Sequence, residues 1–337
     1  MRALVYVEPR KAELQEWPDP VIHPGEGIVR IHAAGVCGSD LHIWLGHSPA
    51  LPPPRVLGHE LTGVLERVDG ETGGLKPGDH VTVFPHAGCG ECRHCAAGHD
   101  ALCPRKRTIL RNFGGGFAEY VRMPLKNLYR LSKDTDFVEG TIIEPLACAL
   151  HAIGKCREEK VPIAILGAGP VGLLILQVAR QLDFPKIAVA EVRAQRLAQA
   201  RDHGADLAVN PQDPASLEKL TRFFGDEGCF VVFDAAGVSS TRQFAIRLAR
   251  PQGLVVPIGM GEEISAIDFA EIISRETRIE GSIAYTRREF ESAIRWITEG
   301  RVSLKGWVSD APLAEGQAIF NDLVSANSSR IKAVLKV

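Results

Sequence analysis

An excess of charge of either sign is missing from this sequence: 39 lysines and arginines against 41 aspartates and glutamates leave a formal charge of −2. So weak a net charge excludes a nucleic acid or an anionic membrane surface as the main partner. Internal repeats and low-complexity segments are also missing. Eight cysteines in 337 residues are too few for a disulfide scaffold, yet Cys89, Cys92, Cys95 and Cys103 crowd into one short stretch, which favours a metal over disulfides. The apolar run at the N-terminus, through Val7, is too short for a signal peptide, so the expected location is the cytoplasm. One long uncharged stretch, Val161–Ala179 between Lys160 and Arg180, has the length of a membrane span. Gly167, Gly169, Pro170 and Gly172 interrupt its middle, and no span is expected there. What is present, 45% hydrophobic and 24% charged residues, is the mixture of a soluble globular enzyme, with length for two domains.

The first 147 residues are rich in glycine, proline, histidine and cysteine. Ile28–Ala33 and Glu119–Met123 read as strands, and Lys76-Pro77-Gly78-Asp79 and Phe113-Gly114-Gly115-Gly116 as turns. This part is expected to be a mostly β domain with long functional loops. From 148 to 283 strands alternate with helices: Val161–Leu166, a helix with apolar positions Val171, Leu174, Ile175, Val178 and Leu182, Ile187–Ala190, a helix closing near Gly204, Val231–Asp234, a helical stretch Thr241–Arg250, and Leu254–Ile258. That alternation predicts a doubly wound parallel sheet, hence an α/β fold. The remainder, 284–337, is expected to return to the first domain through a closing strand at Ile331–Leu335.

Gly167-Ala168-Gly169-Pro170-Val171-Gly172 matches G-x-G-x-x-G between a predicted strand and a predicted helix. Gly167 permits a tight turn, Gly169 lets backbone approach a pyrophosphate, and Gly172 lets the helix sit against the sheet with its N-terminal amides facing the anion. Glu191 follows Gly172 by nineteen positions, where an acidic residue would accept hydrogen bonds from the adenosine ribose and repel a 2′-phosphate. NAD is the expected cofactor, with Gly167, Gly169, Pro170, Val171, Gly172, Glu191 and Arg196 as binding residues. Arg193 and Arg196 leave a phosphate-binding alternative open.

Cys89-x-x-Cys92-x-x-Cys95 followed by Cys103 offers four thiolates that can close a tetrahedral zinc shell with no place for water, a structural site. A second set is dispersed: a thiolate at Cys37, an imidazole and a carboxylate at His59-Glu60, and a carboxylate at Glu144. A catalytic zinc needs about three protein ligands and an open place, which this set could supply; taken singly, its members also read as a buried thiol, a core histidine and a surface glutamate.

In that order, Cys37-Gly38-Ser39-Asp40, Gly58-His59-Glu60, the four-cysteine lobe, Gly116-Phe117-Ala118-Glu119-Tyr120 and the glycine motif resemble the zinc-containing medium-chain dehydrogenase/reductase superfamily. Glu144-Pro145-Leu146 resembles its polyol (sorbitol-type) branch. The resemblance implies a GroES-like catalytic domain beside a Rossmann domain, two zincs per subunit, and oxidation of a secondary alcohol (polyol, sugar alcohol or diol) by NAD. It also implies a homo-oligomer, a tetramer or dimer. Cys37 and His59 would be catalytic zinc ligands, Glu60 or Glu144 the third, and Ser39 and His42 a proton relay. Two positions depart from the sorbitol pattern: Ile43-Trp44 follows the relay histidine, and Ala284-Tyr285 stands where the family carries an arginine before the tyrosine. A smaller or less hydroxylated alcohol than sorbitol is therefore expected. Trp44 either lines the pocket or packs under a loop. An L-threonine-type 3-dehydrogenase is the alternative enzyme, and Glu144 counts against it. A zinc- and NAD-binding protein without turnover is the non-enzymatic alternative; it has no use for Cys37, Ser39, His42, His59 and Glu144 together.

Overall fold

A computed structural model of the chain describes residues 1–158 and 160–337. They form two units: Met1–Glu144 with Thr286–Gly300 and Leu304–Val337, and Pro145–Tyr285 with Arg301–Ser303. The division falls within one helix, Ile143–Ile153.

The first unit is a β structure of GroES-like type. Seven strands form its main sheet, in the order Leu128–Arg130, His80–Val83, Glu60–Asp69, Glu26–Gly35, Lys332–Lys336 and Val308–Pro312, with Tyr120–Pro124 also pairing Glu26–Gly35. The strand Glu26–Gly35 is its spine, because Ile28, Val29, Ile31, Ala33 and Ala34 are all buried and antiparallel neighbours pair it on both sides. The closing strand expected at Ile331–Leu335 forms at Lys332–Lys336, antiparallel to Ala33–Gly35. A short strand pair, His86–Ala87 with Arg107–Thr108, brackets the loop that carries the four cysteines. Trp44 is 0% exposed and meets Phe320 edge to face at 5.7 Å. It packs in the core of this unit rather than lining a pocket, a burial worth about 1.5–3 kcal/mol for a side chain of this kind.

The second unit is a six-stranded sheet, all parallel, in the order Leu207–Val209, Ile187–Ala190, Ile163–Leu166, Cys229–Asp234, Ala249–Pro257 and Arg278–Ile279. The chain starts at Ile163–Leu166, runs outward to one edge, then returns to the other side of the same strand. Between Ile163–Leu166 and Cys229–Asp234 lies the switch point where doubly wound sheets bind ligands. The helix Pro170–Gln181 is buried from Gly172 to Ala179, which explains why Gln177 is the one polar side chain in that stretch. Its one buried amide, Gln177, is satisfied by Ser303: Gln177 Nε2 donates to Ser303 O at 3.2 Å and Ser303 N donates to Gln177 Oε1 at 2.7 Å. The helical stretch expected at Thr241–Arg250 is shifted, forming at Ser239–Leu248, and Ala249–Arg250 already belong to the next strand. No helix among the described residues is long and apolar enough to cross a membrane.

Candidate metal and coenzyme sites

Cys37 ends the run of the central strand and sits at the N-terminus of the helix Gly38–Trp44. Glu60 opens the neighbouring strand Glu60–Asp69, and His59 immediately precedes it. The ligating atoms of Cys37, His59 and Glu60 lie within 4.8 Å of one another. Asp40, 0% exposed, ties the two segments together: its carboxylate accepts from Cys37 N and from Gly58 N, each at 3.0 Å, and lies 3.3 Å from His59 Nδ1. A carboxylate on Nδ1 fixes the tautomer and leaves Nε2 for a metal. Burial works against a charge on His59, but Asp40 and Cys37 beside it more than offset that and hold its pKa well above the ordinary value.

Glu60 is equally buried and is paired with Lys332. The Lys332 ammonium also donates to Val36 O at 2.9 Å. Burial opposes its charge, and Glu60, Cys37 and Glu144 together restore it, so its pKa stands above the usual lysine value. Gly35 makes the arrangement possible, since a Cβ there would overlap the Glu60 carboxylate. Glu144 is buried within electrostatic reach of Lys332 but stands outside the Cys37–His59–Glu60 cluster. Ser39 and His42 lie on adjacent turns of the helix Gly38–Trp44, both half-buried, with His42 edge-on to His47 at 5.1 Å; no hydrogen bond joins them among the described residues. Asp40 and Lys332 were not singled out by the sequence. Asp40 stands inside a quoted motif without an assigned role, and Lys332 is a lone charge in an apolar strand.

In the lobe, the sulfur atoms of Cys89, Cys92, Cys95 and Cys103 also lie within 4.8 Å of one another. Cys92 and Cys95 are 3.6 Å apart and Cys89 and Cys95 4.0 Å, well beyond the roughly 2.05 Å of a disulfide. Backbone donation from Glu91 draws the Cys89 thiol down to about 6, while burial pushes Cys95 up to about 12. Four sulfurs this close cannot all ionise without a cation among them, and a soft divalent ion such as zinc fits the donor set. His86, beside the lobe, was also missed: burial, then His59, drive its imidazole down to about 4, so it stands neutral.

In the second unit Gly167 has φ +96°, a conformation that favours glycine. Gly169 is the residue before the helix Pro170–Gln181, and a Cβ on Gly172 would overlap the Gly167 carbonyl. Glu191, at the end of Ile187–Ala190, accepts from Ala168 N at 2.8 Å and from Arg193 N at 2.9 Å. Arg193 Nη1 and Arg196 Nε are buried beside it without a protein partner. A glycine turn at a helix N-terminus, a buried carboxylate and orphaned guanidinium atoms fit a dinucleotide at this edge of the sheet.

Comparison with known proteins agrees with this arrangement. Residues 23–133 match the alcohol dehydrogenase GroES-like domain, and residues 170–299 match the zinc-binding dehydrogenase family. The chain is 32% identical over 328 residues, covering 94% of itself and 93% of the relative, to an uncharacterized zinc-type alcohol dehydrogenase-like protein of Escherichia coli strain K12. It is 29% identical to D-xylulose reductase A of Aspergillus oryzae, over 88% of this chain and 85% of that one. The crystal structure of galactitol-1-phosphate dehydrogenase from Escherichia coli superposes with a TM-score of 0.91 at 27% identity, covering 100% of both chains. Other matched structures include one complexed with NADH and one bound to NADP. Fold and donor sets together define a zinc-binding dehydrogenase, an oxidoreductase that acts on alcohols with a nicotinamide cofactor. The chain belongs to the zinc-containing medium-chain dehydrogenase/reductase superfamily, in its polyol dehydrogenase branch.

Proposed function

We propose that this chain oxidises the secondary hydroxyl of a polyol or diol with NAD, using one catalytic and one structural zinc per subunit. The Cys37–His59–Glu60 cluster carries the reading. Cys37 and His59 hold the catalytic ion, with Glu60 or Glu144 as the carboxylate beside it, and the four cysteines hold the structural one. When bound, zinc supplies a Lewis acid that eases loss of the hydroxyl proton, and the nicotinamide supplies the hydride acceptor. The protein does the rest. Asp40 keeps His59 oriented, Lys332 pairs with Glu60 and holds it in place, and Ser39 takes the substrate proton toward His42 and solvent. The amides after Gly169 face the pyrophosphate, and Glu191 accepts from the adenosine ribose, where its charge disfavours a 2′-phosphate. The polyol class is supported by the relatives that act on sugars and sugar alcohols.

The test is metal content per subunit together with NAD and NADP reduction over a panel of polyols, diols and amino alcohols. Two zincs and turnover of a secondary alcohol with NAD are expected. One zinc held by the cysteine lobe, with no turnover, overturns the proposal.

A homo-oligomer, dimer or tetramer, is part of the same proposal. Met260, Ile264, Phe269, Ile273, Ile279 and Ile283 are all exposed within one short segment, and Arg278–Ile279 is the edge strand of the parallel sheet. Exposed apolar side chains beside an open edge favour pairing with a second copy. Sedimentation of the wild type is expected to show a dimer or larger, and Phe269→Glu with Ile273→Glu a smaller species; an unchanged mass in the double variant would put the interface elsewhere. Lobe cysteines that are not disulfide-bonded and hold zinc as thiolates suit a reducing compartment, and the cytoplasm is proposed on that ground.

A further inference from the structure

The cysteine lobe is built from one short loop, and what keeps that loop on the body of its unit is not its own cysteines. Asp100, buried between Cys95 and Cys103, accepts from Gly88 N at 3.1 Å. Gly88 immediately precedes the first cysteine. The same Asp100 oxygen receives the Arg287 guanidinium at 2.7 Å. Arg287 is the first residue of the helix Arg287–Thr298, where the chain re-enters the first unit. Its backbone N–H points to Gly98 O at 3.4 Å, so one residue holds two points of the lobe.

The rest of the guanidinium is anchored to the body of the unit. Arg287 donates to Lys126 O at 2.8 Å, to Tyr129 Oη at 3.1 Å and to Asn127 Oδ1 at 3.4 Å. Its carbon lies 4.6 Å from the centroid of Phe84, over the ring face. Asn127 in turn donates to Phe84 O and His86 O. A planar group with five fixed donors can satisfy partners on both sides at once, which an ammonium cannot.

We infer that Arg287 is the positioning residue that keeps the metal lobe closed, acting through Asp100 from the other end of the chain. The inference rests on the proposed structural zinc. A lobe that loses this anchor opens more often, and each opening exposes the sulfurs to competing ligands.

The test is zinc release to a chromogenic chelator in a Cys37→Ser background, where only the lobe reports, with folding followed by circular dichroism. Arg287→Ala, Arg287→Lys and Asp100→Asn are each expected to speed release about 10- to 100-fold, the loss of a buried hydrogen bond to a charged group. Arg287→Ala combined with Asp100→Asn is expected to be no faster than the worse single variant. Ile297→Ala, on the same helix but away from the lobe, lowers the unfolding temperature and is expected to leave release unchanged. Release at the wild-type rate from Arg287→Lys and Asp100→Asn overturns the inference, as does equal acceleration by Ile297→Ala. A wild-type lobe that carries no zinc overturns the structural-zinc reading instead.

Discussion

Lys332→Met is expected to destabilise the first unit by about 3–5 kcal/mol, because it leaves the Glu60 carboxylate buried without its cation. Both side chains are 1% exposed, so water cannot take the place of the ammonium. The carbonyl of Val36 also loses its donor. Methionine fills the volume of the lysine stem, so the loss reports charge rather than a cavity. The double variant Lys332→Met with Glu60→Gln removes both charges and is expected to recover most of the stability. Zinc gives Glu60 a second cation, so the single variant should lose more stability after chelation than before it. Thermal unfolding of the wild type, the single variant and the double variant, with and without chelator, reads all of this. Equal stability of Lys332→Met and wild type in the stripped state would mean that the pair contributes nothing.

That pair also shows where the sequence stopped being readable. The strand, turn and helix of the proposed coenzyme edge were legible because their signal is local: an apolar strand, a glycine turn and a largely apolar helix lie within Ile163–Gln181, and Glu191 follows at the end of the next strand. The cysteine lobe was legible for the same reason. Cys37 and His59 were recognisable through short motifs, but the groups that orient them were not. Lys332 is 272 positions from Glu60, and only the antiparallel pairing of the last strand with Ala33–Gly35 brings them together. Asp40 reaches Gly58 across 18 positions, a bond set by how a helix leaves one strand beside the start of another. The helix Ser216–Phe224 follows a loop with Pro211, Asp213 and Pro214 that masks its start, though Leu220 and Phe224 are buried at helical spacing. The edge strand Arg278–Ile279 has two exposed residues and no alternation to detect. Trp44 left pocket and core open in the sequence, and Phe320, far along the chain, decides for the core.

Gly172→Ala is expected to disrupt the proposed coenzyme site. The added Cβ would overlap the carbonyl oxygen of Gly167, a backbone atom that no rotamer change can move. Either the helix Pro170–Gln181 shifts from the sheet or the glycine turn opens, and its amides then lose the arrangement proposed to receive the pyrophosphate. Leu173, Leu174 and Ile175 are fully buried, so a shift of the helix also disturbs the core, at about 1–3 kcal/mol for overpacking. Gly169→Ala makes the contrast: its Cβ would meet only the Arg196 guanidinium, at 3.6 Å, so the free protein should tolerate it and any loss must come from crowding the bound coenzyme. Titration of protein fluorescence with NADH is expected to show affinity lowered about 100-fold or more for Gly172→Ala, the equivalent of about 2.7 kcal/mol, together with reduced thermal stability. Gly169→Ala is expected to weaken NADH binding with the unfolding temperature unchanged. Binding of NADH to Gly172→Ala at wild-type affinity would show that the close approach of helix to turn is not what shapes the site.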